Sequence, residues 1–394
     1  MRPTTLVLCG LLASCAPTPP VATVAAPSPA AAAPAPSPAS SPLPAASAPG
    51  MPPAPPDTPL PPVREGDFVL RDFHFTDGET LPELRIHYAT LGAPLRDAAG
   101  RTRNAVLILH GTGGTGRQFL QPKFAALLFG PGQPLDAARY FIILPDDVGH
   151  GRSSKPSDGL RARFPQYRYA DMVAAEHELL ARGLGVDHAR LVMGTSMGGM
   201  HTWMWAERYP DFMDAAMPLA CQPTAIVGRN RVWRAMAIHA IKSDPEWKGG
   251  DYAAQPRAAL ETVGDLLAIA GSAPLSWQAR FATREVADRF VDDTVARSLA
   301  TIDANDILYA LSASADYDPS GALEQIQVPL TFVNSADDFI NPPELAIAER
   351  AIRRVKQGRF VLVAATPETQ GHGTHTWPVF WQTELVDLLA RSAR

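Results

Sequence analysis

Three features of this 394-residue chain predict an α/β fold with a mostly parallel central sheet, helices on both faces and a helical cap insertion. First, short apolar runs of buried-strand length alternate with helical patterns from about residue 104 onward. Second, one such run, Leu191-Val192-Met193, leads into Gly194-Thr195-Ser196-Met197-Gly198 and then directly into a helical stretch, Met200 to Ala206. Third, residues 224 to about 320 are rich in helical pattern, carry Trp233, Trp247 and Trp277, and contain no good strand before the rhythm resumes at Pro329.

The chain ahead of this region is of a different kind. Seventeen of the 39 prolines crowd into the first sixty positions, and residues 16–62 are almost entirely Ala, Pro, Ser and Thr. That composition buries too little apolar surface to fold and predicts a disordered tether. At about 3.1 Å per residue where it is polyproline-like, it would reach roughly 100 Å. Before it, Arg2 precedes the apolar stretch Leu6 to Ala13, and Leu12-Ala13-Ser14-Cys15 resembles the lipobox of bacterial lipoproteins. The resemblance implies that residues 1–15 are a signal segment, that Cys15 carries lipid, and that the protein is exported to the periplasm or outer membrane. An ordinary cleaved secretory signal and an uncleaved start are the alternatives. Residues 63–394 then form the folded domain. No run of eighteen apolar residues is present, so contact with a membrane is expected only through the lipid.

The net charge of −5 gives no basic face for nucleic acid. The ten histidines show no His/Cys spacing of a metal site, so neither metal nor cofactor is expected. Cys221 remains as a lone thiol of the folded part, read as packing, and no internal disulfide is available. Oligomeric state stays open, a homodimer among the options.

In chain order, Phe68 to Phe75 and Leu84 to Leu91 read as two antiparallel strands turning at Asp77-Gly78. Asn104 to Leu109 is a buried strand ending in His110-Gly111-Thr112-Gly113-Gly114, and Tyr140 to Leu144 is the next, followed by the loop Pro145 to Ser154. Residues 169–184 place Met172, Val173, Leu179, Leu180 and Leu184 at helical spacing, with Asp171, Glu176 and Glu178 expected in solvent. After the 191–193 strand and its helix come a strand at Ala215 to Leu219, the insertion, and a strand at Pro329 to Val333. A helix from Pro343 to Val355, a strand at Phe360 to Val363 and a terminal helix from Val379 to Ala390 complete the reading.

Strand, G-x-S-x-G, helix is the context of a nucleophile elbow, in which the serine sits on a strained turn and glycines let strand and helix approach. A serine hydroxyl needs a base and a group to orient that base. By resemblance to α/β hydrolases the order is serine, acid, histidine, which implies Ser196, then Asp338, then His372. Asp338 stands four residues before Pro342 at the end of a buried strand, with Asp337 as the alternative; His372 follows the last strand, with His375 as its competitor. The same resemblance implies an oxyanion hole from the backbone N–H groups of Met197 and Thr112, with His110 as a structural hydrogen-bonding residue.

More closely, residues 66 to 390 resemble the homoserine O-acetyltransferase branch of that superfamily. The carriers include Asp171-Met172-Val173, Ser196 to Met200, Arg208-Tyr209-Pro210, Asn230 with Arg234, Asp244-Pro245, Gly249 to Tyr252, Ile302 to Asn305, Asp316 to Asp318, Asp338 to Pro343 and Gly371-His372. The resemblance implies acetyl transfer to homoserine, the amino acid being held by a cap arginine, here Arg234, and by an aspartate directly after the histidine. Gly373 stands at that second place, and the loops at His110 to Gly114 and Gly149 to Ser153 read as those of ordinary hydrolases. Export points away from an acyl-CoA supply. The reading is therefore a serine esterase or acyl hydrolase on a small-molecule ester or acyl substrate, with a homoserine O-acetyltransferase-like acyltransferase using acetyl-CoA as the alternative.

Overall fold

The computed structural model describes residues 62–393; the signal segment with Cys15, and the tether up to residue 61, lie outside the described residues. Eight strands form one sheet: β1 (Arg64–His74), β2 (Thr80–Leu91), β3 (Ala105–Leu109), β4 (Phe141–Pro145), β5 (Ala189–Thr195), β6 (Ala216–Leu219), β7 (Leu330–Ser335) and β8 (Gly358–Val363), in the order β1-β2-β4-β3-β5-β6-β7-β8. The β1–β2 hairpin and the β2–β4 pair are antiparallel, and every pair from β4 through β8 is parallel.

Strands β3, β4 and β6 read as unbroken apolar runs because both of their faces are buried, whereas β8 at the sheet edge exposes Arg359 and Leu362. In β3, Ala105, Leu107 and Leu109 point into one core and Val106 and Ile108 into the other. The first core is closed by α2 (Tyr169–Glu178) and α3 (Met197–Arg208), through Met172, Val173, Trp203 and Trp205. The second is closed by α1 (Pro122–Leu128) and the C-terminal helix, through Phe124, Leu128, Leu385 and Leu388.

Between β6 and β7 lie five helices: α4 (Gly228–Ser243), α5 (Arg257–Ala270), α6 (Pro274–Arg280), α7 (Arg284–Thr301) and α8 (Ala304–Ser312). They enclose a core of their own, with Trp233, Ala237 and Ile241 of α4 against Leu260 and Val263 of α5 and Leu308 and Leu311 of α8. Asp303 caps α8 by accepting from the N–H groups of Asn305 and Asp306 at 2.9 and 3.1 Å.

Three local expectations are corrected. Asp171 and Glu176 are buried rather than solvated. Asp171 accepts from Thr76 N–H at 2.8 Å and Arg168 N–H at 2.7 Å, and Glu176 accepts from His201 and Trp205, so tertiary partners replace water on α2. The helix expected over 343–355 is broken. A 3-10 turn at Pro343–Leu345 ends at Ala346, which is left-handed with φ +49°, before α9 (Ile347–Ile352) starts. The left-handed Ala346 between them turns the chain, so the first turn does not share the axis of the second. The terminal helix α10 begins at Gln382, not at 379. Trp381 is buried and its indole N–H donates to the His375 carbonyl at 3.1 Å, tying the residues before α10 to the loop above the sheet.

The elbow at the end of β5 depends on backbone contacts closer than any side chain permits. A Cβ on Gly198 would lie 2.1 Å from the carbonyl oxygen of Leu109 in β3. Gly198→Ala is therefore expected to destabilise the fold by at least about 1–3 kcal/mol, read as a lower urea midpoint with unchanged slope. Wild-type stability in that variant would count against the packing described here.

Candidate active site

Ser196 joins β5 to α3 with φ +56° and ψ −111°, a conformation that a residue with a Cβ adopts at a cost of about 1–3 kcal/mol. Neighbouring backbone fixes it there. Ser196 N–H donates to the Leu219 carbonyl of β6 at 2.8 Å, and Gly198 N–H donates to the His110 carbonyl at 2.9 Å. The turn is thus bolted to strands on both sides, and the Ser196 hydroxyl projects from the carboxyl edge of the sheet.

His372 comes from the loop after β8. Its Nε2 lies 2.9 Å from Ser196 Oγ, and its Nδ1 lies 2.9 and 3.1 Å from Asp338 Oδ2 and Oδ1. A carboxylate only accepts, so Nδ1 carries the hydrogen and Nε2 faces the serine with its lone pair. Asp338 follows β7 and is buried. Burial alone would raise its pKa, yet His372 beside it, and the amide and backbone N–H of Asn341, hold the carboxyl below the usual range. Asn341 also donates to the Ala220 carbonyl at 2.8 Å, which locks the carboxylate to β6.

The two neighbouring candidates are placed differently. Asp337 accepts from Thr369 Oγ1 at 2.7 Å and from Gly371 N–H at 3.3 Å, holding the histidine loop rather than the imidazole. His375 gives its Nδ1 hydrogen to the His372 carbonyl, and burial pushes it down to about 3, so it is neutral and makes no hydrogen bond to Ser196. Sequence reasoning missed Asn341, Thr369 and this role of Asp337; nothing in their spacing marks partners that are set by how two loops cross.

At the opposite side of Ser196, a Cβ on Gly111 would sit 3.3 Å from the serine Cβ, so the His110 to Gly114 loop passes beside the hydroxyl. Among the described residues, no hydrogen bond engages the N–H of Thr112 or that of Met197. His110 is buried, and its Nε2 accepts from Asp147 N–H at 3.0 Å. The Thr112 hydroxyl and the Arg234 guanidinium both lie near the buried phenol of Tyr169. Arg234 on α4 is 2% exposed, donates from Nε to Asn230 Oδ1 at 3.0 Å, and packs its guanidinium 4.9 Å from the Trp233 ring centroid. Its Nη1 has no partner, and among the described residues no carboxylate forms an ion pair with it.

The family model described as "alpha/beta hydrolase fold" matches residues 104–366. The chain belongs to the α/β-hydrolase fold family. Within it, a probable acyltransferase of Methanothermobacter thermautotrophicus is 30% identical over 279 residues, 71% of this chain and 84% of the relative. A homoserine O-acetyltransferase of Pelobacter propionicus is 30% identical over 320 residues, again 71% and 84%. Among solved structures, the acetyl esterase MekB superposes with a TM-score of 0.72 at 25% identity, covering 83% of this chain and 97% of that one. The homoserine O-acetyltransferase from Bacillus anthracis superposes equally well, with a TM-score of 0.72, at 20% identity and the same coverage, which speaks to the fold alone. This α/β hydrolase is thus an enzyme of the homoserine O-acetyltransferase-like branch, among relatives named for both acyl transfer and ester cleavage.

The departure at Gly373 is chemical rather than steric. An added Cβ there would meet only Gln370 Cβ, at an ordinary 3.5 Å, and φ is not in the left-handed region. The backbone would accept an aspartate; this α/β hydrolase has none at that place.

Proposed function

We propose that the protein is an exported serine esterase or related acyl hydrolase in which Ser196, His372 and Asp338 act as a triad through an acyl-enzyme. The observation that carries the reading is the unbroken chain from Asp338 through the His372 ring to Ser196 Oγ, with 2.9 Å at each junction. His372 Nε2 takes the serine proton as Oγ attacks the acyl carbonyl, and Asp338 stabilises the imidazolium. The N–H groups of Met197 and Thr112 receive the developing oxyanion. The alcohol leaves with the proton from His372, and a water activated by the same ring then releases the acid.

Arg234 gives the substrate a direction. A buried guanidinium without a carboxylate partner is costly unless a ligand anion supplies one. We assign it the substrate's carboxylate, with Tyr169 beside it. The second reading, acyl transfer from acetyl-CoA to homoserine, is favoured by that same arginine and by the relatives' names. Gly373 weighs against it, because the ammonium group would lack a charged partner, and so does the lipoprotein-like N-terminus.

Assays of the purified full chain with p-nitrophenyl esters, and separately with acetyl-CoA and homoserine, distinguish the two. Ester turnover is expected; acetyl-homoserine formation without ester turnover would reverse the assignment. Arg234→Leu is expected to raise KM for a carboxylate-bearing ester by about 10- to 100-fold while leaving KM for a neutral ester nearly unchanged. Equal effects on both esters would remove the carboxylate from the reading.

A further inference from the structure

Behind the oxyanion loop lies a buried group of ionisable side chains that the triad does not use: Asp147 from the loop after β4, Glu176 of α2 and His201 of α3. The hydrogens around Asp147 can be traced one by one. His110 Nε2 accepts from Asp147 N–H at 3.0 Å, so the His110 hydrogen is on Nδ1 and goes to the Gly111 carbonyl at 2.9 Å. His150 gives its Nδ1 hydrogen to the Val148 carbonyl at 3.0 Å. His201 gives its Nδ1 hydrogen to Glu176 Oε1 at 2.7 Å, and Trp205 donates to Glu176 Oε2 at 2.5 Å.

Among the described residues, Asp147 is left with no donor. Neither of its carboxylate oxygens has a hydrogen-bond partner, and Oδ2 stands 3.7 Å from His201 Nδ1 and 3.8 Å from His110 Nε2. The other ionisable groups near it are Asp146, Tyr167 and Tyr169, with Asp316 near His201. Asp146 has its own donors, the N–H groups of Gly116 and Arg152, both at 2.8 Å. Among the described residues no lysine or arginine forms an ion pair with Asp147 or Glu176. Two adjacent carboxylates in this setting cannot both stay ionised.

We propose that Asp147 is a neutral carboxylic acid that shares its proton with Glu176, and that this acid pair is a positioning element which fastens the oxyanion loop to the elbow helix. The connections are direct. Asp147 N–H holds His110, whose carbonyl holds Gly198 N–H at 2.9 Å and whose chain continues into Gly111 and Thr112. Glu176 holds His201, five residues after Ser196 on α3. Burial and the Glu176 charge both push the Asp147 carboxyl well above its ordinary range, in keeping with the donor inventory. Loss of the shared proton at alkaline pH leaves two buried negative charges facing each other and separates α2 from the loop that carries His110.

The catalytic consequence rests on the esterase reading; the protonation state does not, so the two are tested by separate measurements. Infrared spectra of the full chain with isotope-labelled aspartate are expected to show a protonated carboxyl carbonyl stretch at neutral pH that is lost in Asp147→Asn. Should that variant fail to fold, the labelled wild-type band and its disappearance on raising pH decide the question. For ester hydrolysis, kcat is expected to fall at alkaline pH with KM unchanged, and Asp147→Asn to shift that limb. Absence of the band, or one equivalent of metal in the purified wild type that Asp147→Asn does not retain, overturns the acid pair. A band with an alkaline limb identical in both proteins overturns the positioning role, whereas a band in a protein without ester turnover overturns only the esterase reading.

Discussion

Ser196→Ala is expected to lower kcat for ester hydrolysis by about 10⁵- to 10⁶-fold and to abolish labelling by a fluorophosphonate probe. The loss is this large because, in the proposed cycle, the variant removes the atom that forms the acyl-enzyme and takes from His372 Nε2 the Oγ–H donor that stands 2.9 Å from it in the wild type. The variant should fold normally, since the turn is held by Ser196 N–H and Gly198 N–H rather than by the hydroxyl. Circular dichroism and a thermal melt check that point. Labelling that persists in Ser196→Ala would place the nucleophile elsewhere and dismantle the proposed cycle.

Asp338→Asn is expected to lower kcat by about 10⁴-fold. The carboxylate fixes the His372 hydrogen on Nδ1 because it can only accept. An asparagine in the same place can turn its amide N–H toward Nδ1, which moves the hydrogen to Nε2 and points a donor at a serine that needs an acceptor. Oδ1 can still receive the N–H groups of Ile340 and Asn341, at 2.8 and 3.1 Å in the wild type, while the Asn341 amide loses the Oδ2 acceptor that stands 3.1 Å from it. Asp337→Asn provides the contrast. It disturbs the contacts to Thr369 and Gly371 and thereby the loop, so a much smaller fall in kcat with a lower Tm is expected. A kcat loss in Asp337→Asn as deep as in Asp338→Asn, at unchanged Tm, would falsify the division of labour between the two aspartates.

The sheet was legible because its signal is local and redundant. Val106, Ile108, Leu107 and Leu109 are apolar in succession since both faces of β3 are covered, and the same holds for β4 and β6; β7 is equally buried although Thr331, Asn334 and Ser335 interrupt its apolar run. The elbow was legible for a related reason: glycine at 194, 198 and 199 is what a turn needs when carbonyls of adjacent segments stand within 2.1 to 2.6 Å of any added Cβ. Helix ends were less so. Pro343 and Pro378 open the last two C-terminal helical segments with 3-10 turns whose direction is set by loops packed above the sheet.

By itself, the sequence determined the α/β class, the strand–turn–helix around Ser196, the place of the helical insertion and the short set of candidate acids and bases, because hydrophobic period and glycine requirements are written within a few residues. Tertiary structure alone decided that Asp338 meets the imidazole while Asp337 holds its loop, that Arg234 is buried with no ion pair among the described residues, and that Asp171 and Glu176 face inward. Those outcomes depend on which side chains from segments 25 or more residues apart reach within hydrogen-bond distance, as His201 does with Glu176 across 25 residues and His372 with Asp338 across 34. Burial then makes each such meeting consequential, because a charge removed from water takes its protonation state from the few groups beside it.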